Sequence, residues 1–385
     1  MSVRILRIVV IASLAAVGMP WQQASATTPT VVVGPSTCRP KYVHFSTIQT
    51  AISAAPAGSS VLVCPGTYPE QVVITQPVNL SGITDGTGDA AVITVPPTGL
   101  VQNGTLSGLG PVAVQLLVEN TVLVTVANLT IDGSGAGCVP GANRVFGLEY
   151  YFVGTAVDGT SAGKIQNVVV RNELDTCTLT DGIEIDNSYI TISNNEVHDI
   201  DITPIGTRGG QVNISNNNIQ NALNGIVVST STAANTVTNN TISNIGPSVG
   251  FTTPVGLWLD SSNATVTKNT VSGASAGYGV YIPASTVGTN VNGNKVNDTF
   301  VGVYLLNSTG STLVQSNTIA RATYGILDPS TGGGNTITKN TVNEAFYGVF
   351  VGGPTTDTLT PNTFYNVVVT VDPNPFTDPG GTSTE

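Results

Sequence analysis

The chain has 385 residues with 12 basic and 23 acidic side chains, a net charge of −11, and charged residues make up only 9% of it. So acidic a chain with so few cations offers no footprint for a phosphate backbone, which excludes nucleic acid as a partner.

In chain order, residues 1–26 come first. A basic start at Arg4 and Arg7, an apolar run from Ile8 to Gly18 and Ala24-Ser25-Ala26 before Thr27 predict a cleaved secretory signal. The run is too short to span a bilayer of about 30 Å, and no other segment is long and apolar enough, so the mature chain is expected without a membrane span. Residues 27–371 are read as a single domain. Four cysteines in an exported chain predict two disulfides, with Cys38–Cys64 and Cys138–Cys177 the favoured pairing. Around residues 42–82 the sequence reads as a cap and a first coil. Thr47 can cap a short helix whose Ile48, Ala51, Ile52 and Ala55 share one face, with Pro56 and Gly58 ending it.

From about residue 120 to 371 a repeat dominates. Asparagines fall at Asn172, Asn195, Asn217, Asn240, Asn269, Asn294, Asn317, Asn340 and Asn362, at intervals of 23, 22, 23, 29, 25, 23, 23 and 22. Each lies three residues after an aliphatic residue and two before an apolar one. Such a period is too short for paired helices and predicts one coil of an all-β solenoid per repeat, with coils of ~22–25 residues. Stacked asparagines can bond one another and satisfy turn backbone that would otherwise be buried unpaired. Glycines at Gly256, Gly279, Gly302, Gly325 and Gly348 keep a strict 23-residue step, with Gly147, Gly182 and Gly225 before them. Residues 372–385, with three prolines, read as a disordered tail.

Chemistry concentrates early in the repeat. Eleven of the 23 acidic residues lie between Asp132 and Asp201, with Arg144, Lys164, Arg171, His198 and Arg208 among or beside them. In Asp181-Gly182-Ile183-Glu184-Ile185-Asp186 the isoleucines point inward, so Glu184 and Asp186 share the outer face. Such a pair suits acid–base catalysis; with Asp181 it also makes a candidate calcium site, while a solvated acidic face is the bland alternative. Glu149 holds the same phase earlier in the chain. Taking the residue two after each strand glycine gives Glu149, Glu184, Val227, Trp258, Tyr281, Tyr304, Leu327 and Phe350. The acidic end grades into an aromatic stripe on which sugar rings can stack, or which merely stabilises the sheet.

The repeat, and the opening Phe45-Ser46-Thr47-Ile48-Gln49-Thr50-Ala51-Ile52 followed by Val61-Leu62-Val63-Cys64-Pro65-Gly66-Thr67-Tyr68-Pro69-Glu70, resemble the right-handed parallel β-helix of the pectin-lyase-like superfamily. The resemblance implies such a β-helix with an N-terminal capping helix. It carries over no catalytic assignment, because the signatures of pectin methylesterases, polygalacturonases and pectate lyases are absent, and Tyr324-Gly325-Ile326-Leu327-Asp328-Pro329 departs from that of alginate epimerases.

The expectation is a secreted, periplasmic or cell-surface monomer that binds extracellular polysaccharide through Glu149, Trp258, Tyr281, Tyr304 and Phe350. Processing would fall to Glu184 and Asp186 with Arg171 or Lys164 as base, by analogy with lyases. No cofactor is required, and calcium would sit on Asp181, Glu184 and Asp186. The alternative is a non-enzymatic adhesion or scaffold protein.

Overall fold

The computed structural model describes residues 28–84, 91–106, 108–152, 163–174, 179–229, 234–248, 250–260, 263–283, 288–306, 312–329, 333–352, 356–372 and 382–384. The expected signal segment and Cys177 lie outside them.

Each coil visits three faces. One coil runs through Tyr189–Ser193 on the first face, turns at Asn194 and Asn195, continues through Glu196–Ile200 on the second and Thr203–Arg208 on the third, then returns to the first at Gln211–Ser215. First-face strands form a 13-stranded sheet, and the other two faces share a 22-stranded one. Pairing is in register and parallel, as in Ile190↔Val212, Val197↔Ile219 and Ile205↔Ile226. The architecture is therefore a parallel β-helix. In later coils the second and third faces merge into 11-residue strands, Lys295–Leu305, Thr318–Asp328 and Thr341–Val351.

Inward residues of all three faces build one apolar column. Ile214, Val237 and Val266 from the first face, Ile219, Ile242 and Val271 from the second, and Ile226, Leu257 and Val280 from the third all have zero exposure. β-Branched side chains suit this pleated interior, where like packs on like at a spacing of about 4.8 Å.

Two corners explain the recurring asparagines. At the first, Asn194, Asn216 and Asn239 take φ near +57°, and the residue after each enters the ladder. The side-chain amide of Asn195 donates to Asn217 Oδ1 at 2.9 Å, and the pattern repeats through Asn240, Asn269, Asn294, Asn317 and Asn340 to Asn362. Each Oδ1 also accepts a backbone N–H from the preceding coil. Asn172 is a correction. Its φ of +59° puts it at the second corner with Asp199, Asn221 and Asn244, and its amide donates to Asp132 Oδ1 at 3.1 Å. The ladder position of its coil belongs to Val168, whose N–H donates to Asn195 Oδ1.

The glycine series has a steric cause. A Cβ on Gly302 would lie 2.5 Å from both the Gly325 carbonyl and an Ile319 methyl, so the backbone there approaches the next coil too closely for a side chain.

At the N-terminal end, Ile48–Ala54 is helical, as expected, with Thr47 accepting from Thr50 N–H at 3.2 Å. The Glu70 carboxylate accepts from Ile48 and Gln49 N–H at 2.8 and 3.0 Å, filling further open donors of the first turn. Thr30–Val33 already belongs to the first-face sheet, between Val43–Phe45 and Ser59–Val63. The Cys38–Cys64 disulfide is present; Cys138 is also disulfide-bonded. Of residues 372–385, Asp372 ends the strand Thr363–Asp372, and Thr382–Thr384 pairs beside Thr363–Tyr365.

Candidate active site

The outward column of the third face runs Leu117, Glu149, Glu184, Gly206, Val227, Trp258, Tyr281, Tyr304, Leu327 and Phe350, each paired with the next. All residues of the sequence-derived column are members. Gly206 is the member that sequence reasoning missed, because Pro204 occupies the place of the strand glycine in its coil.

Gly206 is what lets Glu184 reach its partner. A Cβ there would lie 2.0 Å from Glu184 Oε2, so the carboxylate occupies the space a side chain would fill. Two positions along the same strand, Arg208 donates from Nε to Glu184 Oε1 at 2.8 Å, with Nη2 3.6 Å from Asp186 Oδ2. Asp181 accepts from Arg144 and, through Oδ1, from Thr203 N–H at 3.0 Å.

These carboxylates point away from the core, yet they do not form a solvated face. Glu149 has no exposure, Asp181 1%, Asp186 4% and Glu184 6%. The cover comes from irregular segments. The antiparallel pair Gly104–Leu106 and Gly110–Glu119 gathers Leu106, Val112, Val114 and Leu117 with Phe146 in one buried cluster. On the other side, the insertion that stretches one asparagine interval to 29 brings Phe251 and Thr253 to the rim.

Between these covers lies a cavity of about 370 Å³. Glu184, Gly206, Val227 and Trp258 follow its length, Arg144 and Asp181 lie with Leu223 and Phe251 on one side, and Arg208 and Asp260 lie on the other. The indole Nε1 of Trp258, Asn224 Oδ1 and Arg208 Nη2 are buried without a hydrogen-bonding partner among the described residues. Buried polar atoms left this way favour a ligand rich in donors and acceptors.

Electrostatics tune the acids. Burial pushes the Glu184 carboxyl up to about 7, with Arg208 opposing and Asp181 adding to the rise. Glu149, directly beneath it on the preceding coil, is raised well above the usual range by burial and by Glu184, and neither of its oxygens has a partner among the described residues. Two stacked desolvated carboxyls cannot both ionise cheaply, so the pair holds a proton near neutrality. Glu149, with no cation beside it, keeps that proton, and Glu184, paired with Arg208 and lining the cavity, exchanges its own near neutrality. Asp186 is raised by burial, against Arg208.

Other expected residues lie elsewhere. Arg171 is on the second face, where its Nε donates to Asp132 Oδ2 at 2.9 Å, and its register neighbour is His198. Lys164 is on the first face, exposed beside Thr125 and Thr191. Neither lines the cavity; Arg208 and Arg144 are the arginines beside the acids. Among the described residues no group of three or more His, Cys, Asp or Glu side chains is arranged to hold a metal ion. Asp181 and Glu184 are instead engaged by arginines. A separate buried acid, Glu173, sits between Gly133 and Gly147 and is pushed up to about 8 by burial and then by Asp132.

Beyond Trp258 the column is a half-exposed aromatic track. Trp258 and Tyr281 meet edge to face at 5.4 Å between centroids, Tyr281 and Tyr304 lie tilted by 31° at 5.3 Å, and Tyr278 touches both tyrosines. Farther on, Tyr324 and Tyr347 stack at 4.8 Å with an interplanar angle of 7°, and Phe350 packs edge-on to both.

The family model described as "Right handed beta helix region" matches residues 153–319. No curated protein matches the chain in sequence. Among solved structures, it is similar to the catalytic domain of a GH87 α-1,3-glucanase in complex with tetrasaccharides, at 15% identity and a TM-score of 0.55, over 94% of this chain and 69% of that one. It is also similar to the A-module of the Azotobacter vinelandii mannuronan C-5 epimerase AlgE4, at 18% identity and a TM-score of 0.50, over 88% of this chain and 95% of that one. The coil geometry, the family-model match and these likenesses give the chain the fold of a right-handed parallel β-helix.

Proposed function

We propose that this chain is an exported carbohydrate-active protein that binds a polysaccharide along its third face and acts on it at Glu184. The observation that carries the reading is the cavity in which Glu184, poised near pH 7 and held by Arg208, opens onto an aromatic track. A carboxyl with a pKa close to the operating pH is suited to give and take a proton at a glycosidic oxygen or sugar carbon. Half-exposed tryptophan and tyrosine rings supply apolar faces for sugars, and the unpartnered polar atoms of the cavity supply contacts for hydroxyls. Burial keeps Glu184 able to hold a proton near neutrality, and Arg208 fixes its orientation.

The fold neighbours include a glucanase and an epimerase, which supports a glycan as the substrate class. Export is supported by the N-terminal signal pattern and the Cys38–Cys64 disulfide; among the described residues no helix is long and apolar enough to cross a membrane. Chemistry at Glu184 needs no calcium in this reading, since Arg144 and Arg208 already neutralise the neighbouring carboxylates.

The test is a polysaccharide array probed with the chain from Thr27 onward, with and without calcium, scoring retention and release of reducing or unsaturated ends. Glu184→Gln should abolish product and keep retention, while Trp258→Ala should weaken retention. Retention without product from the unaltered protein would make it a binding module, and no retention on any glycan would favour a scaffold.

A further inference from the structure

We propose that the cavity receives the end of a neutral glycan chain, the rest of which runs out along Trp258, Tyr281 and Tyr304 toward Phe350. This rests on the carbohydrate reading above and adds a direction, a chain position and a charge class to it.

The groove is closed on one side and open on the other. One coil before Glu149, the column position belongs to Leu117, which is 1% exposed and packed in a buried cluster with Leu106, Val112 and Val114. A Cβ on Gly104 would lie 3.8 Å from a Leu117 methyl, so the hairpin backbone lies against the column at this position. The hairpin's Leu109 and the buried Phe146 beneath it both line the cavity and form its end. In the opposite direction Trp258, Tyr281, Tyr304 and Phe350 are all half-exposed in one unbroken register. From Glu184 to Phe350 is seven coil steps, roughly 34 Å at the usual interstrand spacing. An internal stretch of polymer would have to pass through the hairpin; a chain end does not. At about 370 Å³ the cavity is also near the small end of ligand pockets, which run from about 300 to 1,000 Å³, as suits a terminal unit.

Charge selects the class. Asp181, Glu184 and Asp260 line the cavity, and Asp181 and Glu184 already occupy Arg144 and Arg208. A polyuronate would bring further carboxylates to acids whose cations are engaged, on a chain of net charge −11. A neutral glycan offers hydroxyls to Trp258 Nε1, Asn224 Oδ1 and Arg208 Nη2 without that repulsion.

Trp258 and Trp21 are the only tryptophans, and Trp21 lies in the expected signal, so indole fluorescence of the chain from Thr27 onward reports the cavity alone. The experiment titrates that fluorescence with linear neutral glucans of several linkages, each at two chain lengths differing tenfold, with cyclic glucans of the same linkages and with polygalacturonate. Recognition of ends makes half-saturation follow the molar concentration of chains, so tenfold shorter chains reach it at about one-tenth the mass concentration. Cyclic glucan and polygalacturonate should leave the fluorescence unchanged. Half-saturation that follows mass, with cyclic glucan binding as well as linear, overturns end recognition and leaves the glycan reading standing. Preference for polygalacturonate overturns the neutral class. Silence from every glycan removes this proposal together with the reading it rests on.

Discussion

Arg208 is the residue on which the behaviour of Glu184 turns. Burial alone drives the Glu184 carboxyl upward, and the guanidinium 2.8 Å away holds it at about 7 by favouring the ionised form. Replacing Arg208 with glutamine removes that positive charge while keeping a hydrogen-bond donor. The Glu184 pKa must then rise, so the pH above which a protonated Glu184 is lost moves upward. The carboxyl ¹³C shift of Glu184, followed by NMR titration, checks this without any assay of activity, and the alkaline limb of product formation should move the same way. A titration midpoint that stays put or falls in Arg208→Gln would show that Arg208 does not govern the site.

At the scale of the element, the corner carrying the asparagine ladder owes its stability to complete satisfaction of buried polar groups. Asn269, with no exposure, accepts through Oδ1 from the backbone and side chain of Asn240, and its amide donates to Val237 O and to Asn294 Oδ1. Asn269→Ala strands the Asn240 N–H inside the stack, at a cost of about 1–3 kcal/mol for each buried group left unsatisfied. A loss of roughly 3 kcal/mol in urea-unfolding free energy is expected, against under about 1 kcal/mol for exposed Lys268→Ala on the same turn.

This corner was legible in the sequence because one geometry recurs and one side chain fits it. Asn172 misled because its interval matches the repeat, while its coil is lengthened between the second and third faces and its ladder place falls to Val168. The column from Glu149 to Phe350 was legible through strand alternation, which says what faces out but not what then covers it. Burial of Glu184 depends on the hairpin at Gly104–Glu119 and the insertion bearing Phe251, whose sequences carry no period. Arg208 was among the nearby cations but could not be matched to Glu184, since their contact joins neighbouring coils in a place where Pro204 breaks the glycine pattern.

Taken whole, the molecule is a one-dimensional stack in which each coil is stabilised by its neighbours, so the position of a lesion should decide its reach. One apolar cluster extends from Val31 to Phe364. Phe364, 2% exposed in the final long strand, packs against the backbone at Gly348, where a Cβ would lie 2.5 Å from the ring. It fills at the stack's end a place that Ile319 and Val342 fill in earlier coils. Phe364→Ala removes a buried ring, a change that costs roughly 3–5 kcal/mol in a rigid core. At a terminal coil the loss need not be borne by the whole stack, because the last strands can open alone. Hydrogen exchange should therefore quicken in Thr341–Val351 and Thr363–Asp372, while amides of Leu179–Asp186 around Glu184 keep their protection. Ile219→Ala, in the middle of the stack, has coupled neighbours on both sides and should lower protection across coils in both directions. Uniform loss of protection in Phe364→Ala would mean that the stack unfolds as one cooperative unit, and that the site at Glu184 draws its rigidity from the far end of the molecule as well as from the coils it touches.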